Sequence, residues 1–123
     1  MLYDCGIGNG GTMRAAFSDD FQQEECLYIL DLLAQNKIGS LIEEGVPPET
    51  IIAHKHGWVS DTHADGGIVF TENGDYIIVV ILYEDSWLEW TDSAPLVADI
   101  SQATYNYFNF DAPWLGTQGV SGQ

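Results

Sequence analysis

Gly66-Gly67-Ile68-Val69-Phe70-Thr71-Glu72-Asn73-Gly74-Asp75-Tyr76-Ile77-Ile78-Val79-Val80-Ile81-Leu82-Tyr83 is the stretch from which the architecture follows. Two apolar runs rich in β-branched residues flank Asn73-Gly74. That dipeptide favours a two-residue type I′ turn, because Asn and Gly both tolerate positive φ. The expectation is a hairpin with one strand over 66–71 and the next over 75–83. The run Ile77 to Leu82 has no polar break, which predicts burial on both faces, with layers above and below.

Upstream, Gly45-Val46-Pro47-Pro48 is a firm break. Thr50-Ile51-Ile52-Ala53 then opens another strand, which leads into His54-Lys55-His56-Gly57-Trp58-Val59-Ser60-Asp61-Thr62-His63. This segment holds all three histidines and one of only three basic residues. Polar groups set among hydrophobic strands cost free energy to bury unless they are paired or used, so the segment is the candidate site. Earlier still, Ser18-Asp19-Asp20 with Gln22 and Gln23 forms a capping box. Cys26, Ile29, Leu30 and Leu33 follow at helical spacing, predicting a helix over roughly 20–36. Gly39 ends or kinks it, and Leu41-Ile42 adds a short amphipathic turn. Met1 to Cys5 reads as the end of an apolar helix.

Downstream, Trp87 and Trp90 fall in a loop. A last helix is expected to begin at Ser93-Ala94-Pro95, with proline in its first turn. Its buried stripe would be Leu96, Val97, Ile100, Thr104, Tyr107 and Phe108. Residues 1–110 then form one unit, and 111–123 a flexible tail. The fold class is α+β, a three-stranded antiparallel sheet flanked by helices. With the strands in chain order, the apolar strand 75–83 lies at the sheet edge. Such an edge is an open pairing site, and self-association into a homo-oligomer through it is expected.

With 123 residues, one domain or part of one is expected, and 46% hydrophobic residues suffice for a core. Nineteen acidic residues against three basic ones give a net charge of −16. That field repels phosphate and argues against nucleic acid and anionic membrane surfaces as partners. No apolar run approaches the roughly 18 residues of a membrane span. No basic stretch followed by an apolar one marks a signal peptide, so the chain as given reads as cytoplasmic. Cys5 and Cys26 suffice for one disulfide, but such sparse use favours two buried thiols. Gly6, Gly8 and Gly11 match G-x-G-x-x-G without the strand before and helix after that a dinucleotide site needs, so no cofactor is assigned.

His54 and His56 alternate onto one strand face, and His63, Asp61 or Asp65 would complete a set of metal ligands. Against this, Lys55 points to the opposite face. A third reading is a non-catalytic interaction module built on the strand edge and Trp58, Trp87, Trp90 and Trp114.

The segment Lys55-His56-Gly57 resembles the Lys-Thr-Gly strand of serine β-lactamase-like hydrolases of the class A and penicillin-binding type. A Gly/Pro break precedes it, and a hairpin and a long C-terminal helix follow. Ala53-His54-Lys55-His56-Gly57-Trp58, Asp61-Thr62-His63 and Tyr105-Asn106-Tyr107-Phe108-Asn109 are similar to a β-lactamase-related branch of that family. The resemblance spans residues 1–110 and implies an incomplete β-lactamase-like α/β sandwich. It further implies that Lys55 lines the active site and that the Trp58 N–H forms half of an oxyanion hole. His56, Gly57, Ser60, Asp61 and His63 would contact a small acyl substrate, a β-lactam or related amide or ester, with neither metal nor cofactor. Histidine replaces the family's threonine, and the nucleophile motif Ser-x-x-Lys is absent: Ala34 stands three residues before Lys37 and Ile52 three before Lys55. The chain therefore reads as a C-terminal piece of such a hydrolase, inactive alone.

Overall fold

In the computed structural model, residues 23–116 are described. A helix α1 (Gln23–Ala34) is followed by a 3₁₀ turn (Leu41–Gly45). Strands β1 (Ile51–Trp58), β2 (Thr62–Phe70) and β3 (Tyr76–Tyr83) come next, and helix α2 (Trp90–Phe108) closes the order. The strands pair antiparallel in chain order, β1-β2-β3. His54 lies opposite Gly67 and Ala64 opposite Ile81. The capping-box residues before Gln23, the Gly6–Gly11 stretch and the residues beyond Gly116 lie outside the described residues.

Alternation along the strands sorts the sheet into two faces. On one, α1 packs Cys26 and Leu30 against Ala53 and Ile68, with Leu33 and Phe70 at the margin. Cys26, Leu30 and Leu33 are members of the stripe the spacing predicts; Ile29, expected with them, is half-buried and outside the cluster. On the other, the 3₁₀ turn and α2 cover Ile52, Val69, Tyr76, Ile78 and Val80. The connection 35–40 therefore crosses from one face to the other around the edge of β1. Leu41 and Ile42, expected on an amphipathic turn, are fully buried, while Glu44 beside them is exposed. Leu41 has φ +60. A branched residue there costs about 1–3 kcal/mol, which burial of its side chain, worth about 1.5–3 kcal/mol, offsets.

Four sequence expectations change in the structure. First, β3 is buried on one face only: Ile77, Val79, Ile81 and Tyr83 are 53%, 65%, 65% and 66% exposed. An uninterrupted apolar run is compatible with two-sided burial but cannot specify it, and α1 reaches only the β1–β2 half of its face. Second, the β2–β3 turn is centred on Glu72-Asn73. Gly74 N–H donates to Thr71 O (3.1 Å), and only Gly74 there has positive φ. A type I′ turn would need positive φ at two successive central residues, and Asn73 does not supply it.

Third, α2 starts at Trp90, runs through Pro95, and docks by its small residues: Ser93, Ala94, Val97, Ala98 and Ser101 are buried. Leu96, Ile100, Tyr107 and Phe108 stay substantially exposed. The cause is close approach. A Cβ on Gly45 would run into the Ala98 carbonyl and Ser101 Cβ, so only a small-residue face can lie over the 3₁₀ turn. Ser101 Oγ–H also donates to Ile42 O (2.9 Å). Fourth, Cys26 is disulfide-bonded rather than a free thiol; sparse cysteine use permits one bridge as readily as none.

Residues from Asp111 to Gly116, expected in a loose tail, are tied to α2. Trp114 N–H donates to Asn106 Oδ1 (2.6 Å), and the amides of Gln102 and Asn106 donate to Trp114 O. Among the described residues no helix is long and apolar enough to cross a membrane.

Candidate functional site

The histidine–lysine segment is strand β1 and the tight turn after it. Val59 N–H donates to Thr62 O (2.8 Å), which makes 59–62 a hydrogen-bonded pair. The ladder alternates, so Ile52, His54, His56 and Trp58 belong to non-bonded pairs and turn their N–H and C=O groups away from β2. Two of these outward groups have partners. Asn36 Nδ2–H donates to His54 O (3.2 Å), and the Lys55 amino group donates to His56 O (2.6 Å). Asn36 sits on the segment that wraps the β1 edge. The strand is thus covered as far as His56, while the Trp58 N–H faces outward at the edge with no partner among the described residues.

Side chains alternate in the opposite sense. Lys55 and Gly57 face the α1 side; His54, His56 and Trp58 face the α2 side. Lys55 meets His56 only at the strand edge, through the His56 carbonyl. Lys55 is exposed and makes no ion pair with Asp61 or Asp65 among the described residues.

His54 is the electrostatic centre of the region. Its Nδ1–H donates to Asp65 Oδ1 (2.9 Å) and its Nε2–H to Glu43 Oε1 (2.8 Å) and Asn36 O (3.0 Å). Every atom facing the ring is an acceptor, so both nitrogens must donate, and only the imidazolium does that. Burial by itself lowers the His54 pKa. The hydrogen bond and charge of Asp65, then Glu43 and the Asn36 carbonyl, outweigh it and leave the pKa raised. The carboxylates are anchored in turn: Ile42 N–H donates to Asp65 Oδ2 (3.2 Å), and Ile38 and Gly39 N–H donate to Glu43 (both 2.8 Å). The group locks β1, β2 and the 3₁₀ turn together. Sequence spacing missed Glu43, eleven residues upstream. Gly67 opposite His54 is required by the same close packing, because a Cβ on Gly67 would overlap the His54 backbone and Cβ.

Farther along the same face, His56 stacks on Trp58 (5.0 Å, 14°), and Trp58 meets Trp90 edge-on (4.9 Å, 62°). His63 is buried beneath Trp90, with Nδ1 2.5 Å from Ser93 Oγ. Ser60 and Asp61 form the turn. Their carbonyls accept Leu88 N–H (2.8 Å) and Glu84 N–H (3.0 Å), and Asp61 Oδ1 accepts the Thr62 hydroxyl (3.0 Å). The three histidines thus go to three separate environments. Among the described residues no group of three or more His, Cys, Asp or Glu could hold a metal ion.

Residues 16–108 match the beta-lactamase enzyme family. No protein of curated function matches the sequence. Among solved structures, PBP-A superposes with a TM-score of 0.65 at 18% identity, covering 80% of this chain and 37% of PBP-A. A substituted PBP-A, in acyl-enzyme complex with penicillin G, gives 0.64 at 18% identity over the same shares. The extended-spectrum beta-lactamase TLA-1 gives 0.61 at 19% identity, covering 78% of this chain and 38% of TLA-1. The chain thus spans little more than a third of the length of these structures. Its three antiparallel strands and two helices are part of a beta-lactamase-like α+β fold.

Proposed function

The chain belongs to the beta-lactamase enzyme family, and from that premise we propose that it is the substrate-binding C-terminal part of an acyl-serine hydrolase. The observation that carries this reading is the Trp58 N–H, turned outward at the edge of β1 with no partner among the described residues, on the strand that also carries Lys55. A backbone donor held in a paired strand is fixed before substrate arrives, so it stabilises a developing oxyanion without reorganisation. Lys55 supplies the positive charge for an anionic acyl substrate. Among the described residues its amino group is engaged only by the neighbouring carbonyl of His56, and exchanging that acceptor for a carboxylate costs little. His56, Gly57, Ser60 and Asp61 would border the substrate, and His63 would support them from below through Ser93.

The ligand class is a β-lactam or a related amide or ester, in line with the penicillin acyl-enzyme of a PBP-A structure. The sequence contains no Ser-x-x-Lys. The chain by itself is therefore expected to bind without forming an acyl-serine, and β-lactam breakdown requires a nucleophile from elsewhere. The place of β3 at the end of the sheet and the exposed apolar row on its α1-side face favour a second property, self-association through β3.

Two measurements test this. Intact-mass spectrometry after incubation with penicillin G or a fluorophosphonate should show no adduct; an adduct on serine refutes the missing nucleophile. Amide NMR with penicillin G should shift the Trp58 N–H, and Lys55→Gln should abolish the shift. An unmoved Trp58 signal at saturating penicillin refutes the substrate-binding role.

A further inference from the structure

A second cleft lies at the end of the sheet, between the β1–β2 turn and the loop 84–89 that joins β3 to α2. It encloses about 550 Å³, and Trp58, Trp87 and Trp90 form its aromatic walls. Glu89 is at its rim and His63 at its floor. The two loops are pinned to each other by Leu88 N–H to Ser60 O and Glu84 N–H to Asp61 O. Trp90 is braced by both Trp58 and His63, with ring centroids 4.9 and 5.6 Å away. Ser86, directly before Trp87, has φ +82. A non-glycine residue in that region is strained, and the surroundings must hold it in place. Here the strain presents Trp87 at the cleft.

The wall rings are left in water: Trp58 is 55% and Trp87 60% exposed. Large aromatic surfaces exposed together mark a binding site more often than a structural need. The charge at the site selects the ligand. Neither Lys37 nor Lys55 lines the cleft, and these are the only Lys or Arg among the described residues. Glu89 caps α2 without using its side chain for a cap hydrogen bond, so its carboxylate is uncommitted there. The whole chain carries −16. Aromatic faces with a carboxylate at the rim, in a field of this sign, attract cations and repel anions.

We propose that this tryptophan cleft binds a small organic cation of the quaternary or alkylammonium type, held over the Trp58 and Trp87 rings with Glu89 as counter-charge. The cleft adjoins the acyl-substrate edge, sharing Ser60 and His63 with it, but holds its ligand elsewhere: it uses the Trp58 ring on the α2 side, whereas Lys55 faces the α1 side and the Trp58 N–H faces the strand edge.

The test is a tryptophan-fluorescence titration with choline and with its neutral isostere 3,3-dimethylbutanol, repeated by amide NMR. Choline should give a saturable change in the millimolar range and bind roughly tenfold more tightly than the isostere, the factor expected of a partly desolvated cation–π contact. Trp87→Ala, at an exposed position that should leave the fold intact, should abolish the effect. Trp87→Phe should retain part of it, and Glu89→Gln should weaken it several-fold. Lys55→Gln should leave choline binding unchanged, which separates this site from penicillin binding. Equal binding of choline and the alcohol, wild-type binding by a folded Trp87→Ala, or no saturable choline response would each overturn the proposal.

Discussion

Replacing Asp65 by asparagine keeps the shape of the side chain and removes its charge. Asp65 accepts from His54 Nδ1 through one oxygen and from Ile42 N–H through the other, and both side chains of the pair are fully buried. An amide offers one acceptor and one donor group. The substituted side chain would therefore satisfy either His54 or Ile42, never both, and would leave the imidazolium short of a counter-charge. Breaking a buried pair by removing one partner costs about 3–5 kcal/mol. The total stability of a domain of this size is about 5–15 kcal/mol, so about a fifth or more would be lost. With a urea m-value of about 1.5 kcal/mol/M, the midpoint should fall by roughly 2–3 M.

The pH dependence sharpens the test. The folded-state pKa of His54 is raised above its usual 6.5. Its stabilising contribution is thus fully present below the unfolded-state pKa and is lost as pH rises through the folded-state value. Wild-type stability should fall on the alkaline side of pH 6.5. The gap between wild type and Asp65→Asn should be widest near pH 6, where imidazolium faces carboxylate, and should narrow once His54 is neutral. Glu43 also bonds His54, and the His56 ring lies 6.4 Å away, so His54→Gln is the control that should flatten the slope. Urea unfolding followed by circular dichroism at several pH values reads both effects. A variant within about 0.5 kcal/mol of wild type, the range of ordinary surface substitutions, would refute the buried charged pair. So would a gap that does not change with pH.

Gly45→Ala should destabilise by about 1–3 kcal/mol or more, because the new methyl meets the Ala98 carbonyl and Ser101 of α2; thermal unfolding reads it directly. Val79→Lys with Ile81→Lys should leave stability within about 0.5 kcal/mol and reduce self-association in sedimentation velocity, since both side chains project into solvent from the β3 edge. A wild-type chain that already sediments as a monomer would remove the self-association reading. Tyr76→Phe should be neutral or stabilise by about 1 kcal/mol, because the Tyr76 hydroxyl is buried with no hydrogen-bond partner among the described residues, while the ring keeps its stacking on Phe108.

The sheet was legible in the sequence because its signals are local: a proline break before β1, alternating and apolar runs, and glycine near each turn. The α1 stripe was legible for the same reason. What the sequence did not reveal depended on distance. The buried face of α2 follows from how closely the 3₁₀ turn approaches at Gly45, and hydrophobicity pointed instead to Leu96 and Ile100. The His54 cluster draws Asn36, Glu43 and Asp65 from three different segments, so no spacing rule could gather them. The spacing offered Asp65 as a metal ligand, and the structure pairs it with His54 instead.

That cluster also explains how a strand rich in histidine can serve an edge without being a metal site. Both His54 nitrogens are saturated by groups that are themselves held by backbone donors, so His54 has no lone pair to offer an ion. The bonds instead fix β1 to the 3₁₀ turn and to β2, and Asn36, bonded to His54 O and 3.2 Å from His56 Nδ1, covers the strand edge up to His56. Among the described residues nothing covers the edge beyond that point, and the next outward group is the Trp58 N–H. If that N–H is the oxyanion donor proposed above, a charge lock two pleat repeats upstream would act as a positioning device: it would hold the donor's strand rigid without occupying the donor. Lys55 alternates to the other face and stays out of the lock, so its charge remains available at the edge.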